Sequence, residues 1–358
     1  MEKAKHLLKT TGKILLGILV FLGLIVGGFF IWLQGDPEEI TECQADYRLF
    51  EHALGISCIP NNPERILPYG TAPSQFLVAI EQPMAMTTVG FDVETAADIP
   101  GLYERLREVN EGVLDLGFVE GTAVQNIELL LQIQPDLIIS EWAASEDVVK
   151  TVELVTPAVL LTDSGDWKEI TQRSGDAIGR SEQAQELIVA YEERVQILRE
   201  QFDDPADVSI SLVRLWPDNY WVMLENSFSG QIIQEVGFSV PPPQLEIDDQ
   251  VLTFNSMQIR FSKERYDLVD ADFILLFPAT TGQVLIDTGY TPRDLTEEFQ
   301  SEPLFQFLEA PQAGNVLEAG VHWNVTGIYS AHAVLDDLFR YVAGVDPEEV
   351  APNPLRLE

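Results

Sequence analysis

The sequence predicts an α/β protein: two lobes with mainly parallel sheets joined by one long helix, preceded by an N-terminal transmembrane helix. Three observations predict it. Short apolar runs alternate with amphipathic stretches through both halves of the 358-residue chain, the pattern of sheets covered by helices. Ala184, Leu187, Ile188, Tyr191, Val195, Leu198 and Phe202 recur at steps of three and four, marking one helix of about thirty residues over Arg173–Phe202. An uncharged apolar run, Ile14–Leu33, stands near the start.

That run, "ILLGILVFLGLIVGGFFIWL", would extend about 30 Å as a helix, the thickness of a bilayer core. Four lysines precede it and the acidic "QGDPEE" follows, which orients the start of the chain to the cytoplasm. A cleaved signal peptide is the rival reading, but its apolar core should be shorter and a small-residue cleavage site should follow. "EITEC" before Cys43 does not look like a lipoprotein cleavage box either. Residues 1–35 are therefore expected to be a basic start and membrane anchor and 36–42 an acidic linker, with the remainder outside. In that setting Cys43 and Cys58, the two cysteines of the chain, are expected to form a disulfide. Closing such a loop contributes about 3 kcal/mol.

The first lobe is expected over 43–172. Its first strand, Arg65–Gly70, is entered through the turn-rich "PNNPE" and followed by the helical "SQFLVAI". "NIELLLQIQPDLIIS" then reads as a helix, a stop and a strand, and "VVKTVELVTPAVLLT" repeats that order. The connecting helix is expected over 173–203, ended by "DDPAD". The second lobe, 204–345, contains the apolar "VSISLVRLW", "YWVML" and "ADFILLF", and closes on the helix "GIYSAHAVLDDLFRYV". The tail, 346–358, is expected to fray.

Two acids occupy matching places. Glu128 precedes Asp136 by eight residues and an apolar strand follows; Glu264 precedes Asp272 by eight residues and again a strand follows. With Ile127, Leu130 and Leu131 as a buried stripe, Glu128 and Gln132 share a helix edge that faces water. Each acid can then project from a rigid lobe.

Composition excludes several functions. A formal charge of −37, from 58 acids against 21 Lys and Arg, repels nucleic acid. There is no G-x-S-x-G elbow, P-loop or Gly-rich dinucleotide fingerprint, so no enzyme or cofactor is indicated. The four histidines, His6, His52, His322 and His332, form no HExxH pattern and there is no paired-Cys motif, so no metal site is expected.

"RLFEHALGISCIPNNPERILPYG", the "NIE…PDLII" unit, "VRLWPDNYWVMLENSFSGQIIQEVGF" and the segment from Trp323 through the last helix resemble the iron–siderophore-binding proteins of ABC importers, distant relatives of the vitamin B12-binding proteins. The resemblance covers nearly all of 43–343. It implies the class III periplasmic-binding-protein fold, with a ferric siderophore carried in a cleft between the lobes. It also implies that Glu128 and Glu264 dock onto arginines of a permease dimer. Arg214, at the end of the "LVRLW" strand, is the expected ligand cation, since a guanidinium pairs bidentately with chelating oxygens. Trp142, Trp216, Trp323 and Tyr69 are the expected aromatic contacts. Cobalamin or haem as ligand, a membrane-tethered chelate sensor and a siderophore hydrolase are the alternatives. The uncleaved anchor departs from the family's usual lipid-modified or freely periplasmic members.

Overall fold

The computed structural model describes residues 42–85, 97–110, 127–141, 149–150, 152–162, 165–217, 219–245, 257–262, 264–279 and 287–356. The candidate membrane span, Ile14–Leu33, and Trp142 lie outside the described residues. Among the described residues no helix is long and apolar enough to cross a membrane. Gln44–Glu358 forms one compact unit.

The described chain opens with a hairpin that the expected element order lacked. Strands β1 (Tyr47–His52) and β2 (Gly55–Pro60) pair antiparallel, with His52 opposite Gly55. Gly55 has φ of 124°, a conformation that an L side chain resists, so the tight reversal depends on it. Cys43 and Cys58 are both disulfide-bonded, and as the chain's two cysteines they are bonded to each other.

Two further sheets follow. The first is parallel in the order β3-β4-β5, built from Ile66–Tyr69, Leu137–Ser140 and Ala158–Leu160. The second comprises β6 (Ile210–Trp216), β7 (Asn219–Met223), β8 (Gln258–Phe261), β9 (Phe273–Pro278) and β10 (Val316–Glu318), in the order β10-β9-β6-β7-β8. Strands β10, β9 and β6 are mutually parallel, and β7 pairs antiparallel with both β6 and β8, so β7 runs against the other four. The second sheet is therefore mixed. The two residues between Trp216 and Asn219 are too few for a crossover and permit only a hairpin.

Helices α1 (Thr71–Ala79), α2 (Leu102–Val109), α3 (Ile127–Ile133), α4 (Trp167–Ile178), α5 (Ser181–Arg199), α6 (Phe228–Val236), α7 (Pro292–Ser301) and α8 (Ile328–Asp337) accompany the sheets. The single helix expected over 173–203 is divided. Gly179, with φ of 73°, ends α4 in a left-handed turn, and α5 starts two residues later. The expected stripe survives on α5, where Ala184, Ile188, Tyr191, Val195 and Leu198 are buried. The helix-side stripe of α3 is narrower than expected: Leu130 is buried, but Leu131 is 58% exposed.

Alternation along the strands divides the core. Ile66, Leu137, Ile139 and Val159 of the first sheet share one apolar cluster with Ile210, Leu212, Leu275 and Phe277 of the second, and with α5. Residues of opposite parity form separate outer clusters: Leu67, Ile138 and Leu160 on one side, Val213, Leu215, Ile274 and Leu276 on the other. Both inner faces thus belong to one continuous apolar cluster that also takes in the helices.

Each sheet uses the same device at its strand starts. Asp136, just before β4, accepts from the amides of Glu64 and Arg65 at 2.7 and 3.0 Å, just before β3. Asp272, just before β9, accepts from the amide and hydroxyl of Ser209 at 2.8 and 2.7 Å, just before β6. In both cases the strands so joined are parallel neighbours.

Two buried polar links tie distant segments. Gln75 on α1 accepts from the Ser330 amide at 3.0 Å and donates to its hydroxyl at 2.9 Å, sitting against Gly327, where any Cβ would collide with it. Arg194 on α5 donates to Asp336 at 2.5 Å and to the carbonyls of His332 and Ala351 at 3.1 and 2.9 Å. Asn353 donates to the second Asp336 oxygen at 3.1 Å. These bonds correct the expectation of a frayed tail: Ala351 and Asn353 are buried because α5 and α8 hold them.

Arg194→Ala leaves the Asp336 carboxylate buried without its cation and is expected to lower unfolding free energy by about 3–5 kcal/mol, read as a fall in the urea midpoint. An unchanged midpoint would contradict this role. Burial, reinforced by the Arg194 charge, holds His332 well below its ordinary value. The unfolded chain therefore binds the extra proton, and the stabilising contribution is present above the unfolded value of 6.5 and lost as pH falls below it. His332→Gln should flatten the stability loss on acidification below that point by up to about 1.4 kcal/mol per pH unit, measured by urea titrations at a series of pH values.

Candidate functional site

Strand β6 is apolar apart from Ser211 until Arg214, which follows the parity of Leu212 in the shared core, and it ends at Trp216, which packs against the outer cluster of the second sheet. The register brings further residues beside them. Arg214 lies opposite Phe277 on β9 and Trp221 on β7, and Trp221 in turn lies opposite Arg260 on the edge strand β8. Trp216 lies opposite Asn219. One row across the second sheet therefore reads Phe277, Arg214, Trp221, Arg260, with Trp216 and Asn219 in the next row. The group sits at the carboxyl ends of the parallel strands β6 and β9, where α/β sheets bind their ligands.

Arg214 is partly buried, and desolvation pulls its guanidinium below the ordinary arginine value. It is stacked over Trp216 at 5.1 Å and Phe277 at 5.9 Å. Among the described residues no carboxylate pairs with it, and its buried Nε meets no acceptor. The Oδ1 atom of Asn219, the residue opposite Trp216, is likewise buried without a donor among the described residues. Other described arginines are differently placed: Arg194 holds Asp336, Arg105 holds Glu81 and Glu108, and Arg48 and Arg199 donate to backbone carbonyls. In so acidic a protein, a partly buried cation left to aromatic faces is an unusual placement.

The other expected aromatic contacts fare differently. Trp216 lies under the Arg214 guanidinium at the end of β6. Trp323 is 0% exposed, packed in the shared core with its indole N–H donated to Asp337 at 2.8 Å, and has no face to offer a ligand. Tyr69 ends β3 beside Ser140 and is half-buried, its ring leaning on the outer cluster of the first sheet and its phenol pushed up by burial. At the same end of that sheet, Glu141 accepts from the amides of Thr71 and Ala72, both at 2.8 Å, over Gly70, whose φ of 145° and bare Cα admit the carboxylate. The positive end of α1 is thereby already neutralised. Trp221, Phe277 and Arg260 were not expected; alternation in "YWVML" and "QIRF" selects their faces, but pairing was needed to align them.

An open depression of about 650 Å3 beside α2, lined by Tyr103, Glu104, Arg107 and Glu108, holds two acids against one arginine that already lies over Tyr103. It does not include the unpaired cation. Among the described residues no group of His, Cys, Asp and Glu gathers to hold a metal ion. His322 is bonded to Asp337 at 2.8 Å and His332 to Arg194.

Glu128 and Glu264 are both exposed. Glu128 is in the first turn of α3, whereas Glu264 stands on a turn before the short 3₁₀ segment Tyr266–Leu268 and not on a helix. The hydroxyl of Ser262 and a local backbone hydrogen bond hold the Glu264 carboxyl below its ordinary value.

No protein-family model matches the chain. It is 27% identical over 302 residues to the probable siderophore-binding lipoprotein YfiY of Bacillus subtilis (strain 168), covering 82% of this chain and 87% of that protein. It is 28% identical over 252 residues to the achromobactin-binding periplasmic protein of Dickeya dadantii (strain 3937), covering 68% and 76%. Among solved structures, Staphylococcus aureus SirA complexed with staphyloferrin B superposes with a TM-score of 0.68 at 18% identity, covering 82% of this chain and 98% of SirA. The chain shares their fold. These similar proteins are substrate-binding proteins, not enzymes.

Because Arg214 is buried without a carboxylate, its charge is a cost to the folded protein. Arg214→Met is expected to raise unfolding free energy by about 1 kcal/mol, seen as a higher urea midpoint. A fall of that size would mean the guanidinium serves packing.

Proposed function

We propose that the protein is the extracytoplasmic substrate-binding component of an ABC importer, which captures a ferric siderophore and delivers it to a permease. One observation carries the reading: Arg214, partly buried, without a carboxylate partner among the described residues and stacked on Trp216 and Phe277. Likeness to a siderophore-binding lipoprotein and to an achromobactin-binding protein supports it. The two large sheets are then the cores of two lobes, 43–172 and 204–345, with α5 as the connecting helix. The ligand lies at the carboxyl ends of the strands, against Arg214 and Trp216 on one side and toward Tyr69 on the other.

The ligand brings its own iron, so the protein itself supplies no metal ligands. A ferric chelate is bulky and anionic, and needs aromatic walls and a fixed cation more than chemistry. Ile14–Leu33 tethers the protein as a single-pass anchor with the body outside the cytoplasm. Glu128 and Glu264, exposed and eight residues before equivalent aspartates, dock onto basic residues of the permease. Two separated charges set orientation on a partner more than they set affinity.

Two measurements test this. Arg214→Ala is expected to weaken ferric-chelate binding by roughly tenfold or more in a fluorescence-quenching titration, since a charge-assisted contact contributes about 1.5–3 kcal/mol; equal affinity would remove Arg214 from the site. The double charge reversal Glu128→Arg and Glu264→Arg should abolish iron uptake by cells while leaving chelate affinity intact. Loss of affinity in that variant would instead assign the two acids to binding.

A further inference from the structure

Helix α1 begins at Thr71, directly after β3, and its N-cap position is Gly70, which has no side chain to cap it. The cap comes from Glu141, which directly follows β4. Its carboxylate accepts from the amides of Thr71 and Ala72, one on each oxygen and both at 2.8 Å, with the Thr71 hydroxyl at 3.4 Å. The main chain on both sides is fixed. The Glu141 amide donates to the Tyr69 carbonyl at 3.1 Å, and the Ser74 hydroxyl donates to the Gly70 carbonyl at 2.9 Å. A Cβ on Gly70 would collide with the Glu141 side chain. Resting on the carrier reading, we infer that Glu141 is a specificity-determining residue. By holding the α1 amides it denies them to an anionic group of the ligand, so that the first sheet receives an uncharged part of the chelate.

The opening turn of a helix has amides without intrahelical partners and carries the positive end of the helix dipole. Strands β3 and β4 are parallel, and their carboxyl ends are where an α/β sheet meets its ligand. Left open there, the α1 amides would take a carboxylate from any small anion, including a chelator that carries no iron. An ordinary cap is a Ser, Thr, Asn or Asp at the N-cap position itself. Gly70 cannot supply one, and its φ of 145° reserves that position for glycine. The group that does supply it stands 70 residues later, at the ligand end of the neighbouring strand. Occupancy is the device: two acceptor oxygens fill two donors. An anionic group directed at this wall meets a carboxylate in place of amides, and discrimination arises from refused contacts as well as from favourable ones.

The test uses the full-length chain in detergent and isothermal titration with three ferric complexes: a polycarboxylate (ferric citrate), a tris-catecholate and a neutral trihydroxamate. Glu141→Ala vacates both amides. It is expected to raise affinity for at least one anionic complex about tenfold relative to the trihydroxamate. Glu141→Gln still places an acceptor on the amides and should keep the wild-type ratio. A helix cap is a small part of a domain's stability, so both variants stay folded. Formate should raise the melting temperature of Glu141→Ala above that in chloride of equal ionic strength and leave the wild type unmoved, because an external carboxylate then fills the vacated place. A ratio unchanged in Glu141→Ala, a ratio shifted equally in Glu141→Gln, or no response to formate overturns the inference and leaves the carrier reading standing. Failure of the wild-type chain to bind any of the three complexes overturns both.

Discussion

A parallel sheet must be covered on both faces, because neither of its surfaces can be left to water without exposing a band of aliphatic side chains. Here two sheets meet that requirement through one shared inner layer, in which Ile139 and Val159 of one sheet join Leu212 and Phe277 of the other. Helix α5 contributes Ala184, Tyr191, Val195 and Leu198 to the same cluster. What remains outside each sheet is a smaller cluster of its own. The polar links follow from this arrangement. Arg194, placed on α5 inside an apolar layer, is tolerable only with Asp336 and two carbonyls around it, and those partners in turn fix the end of the chain.

The two halves also share a rule for starting their parallel strands. At the beginning of a strand the first amides have no ladder partner, and an aspartate on the neighbouring strand's entry supplies one. Asp136 does this for the β3 entry and Asp272 for the β6 entry. The eight-residue interval from Glu128 and Glu264 is thus measured from two structurally equivalent points, though one acid rides on a helix and the other on a turn. Equivalence of place survives a difference in local conformation.

Arg214, at the end of β6, is partly buried yet has no carboxylate partner among the described residues. Acids outnumber bases by 58 to 21, and most described guanidiniums have found a carboxylate or a carbonyl. Arg214 has aromatic faces instead. Such a placement costs the folded protein stability, because burial desolvates the charge without a counter-ion. Glu141 has the opposite arrangement at the first sheet, where the carboxylate of the chain itself already occupies the positive end of α1.

Periodicity alone determined the α/β class, the positions of most strands and the buried stripe of α5, because burial of alternate or every third-to-fourth residue is written directly in residue order. It also singled out Arg214, whose cationic side chain interrupts an apolar strand, and the equivalent intervals that end at Asp136 and Asp272. The break at Gly179 lay within the apolar stripe and was hidden by it, since a left-handed glycine does not disturb spacing on either side. The hairpin at 47–60 was missed because its outer face keeps Tyr47, Leu49 and Ile56 exposed, which blurs the alternation. Only the tertiary structure decided that Trp323 belongs to the core and that the tail is held by Arg194. Only strand register aligned Trp221, Phe277 and Arg260 with Arg214. Residue order states which face a side chain takes; which neighbours share that face depends on pairing between strands far apart in the chain.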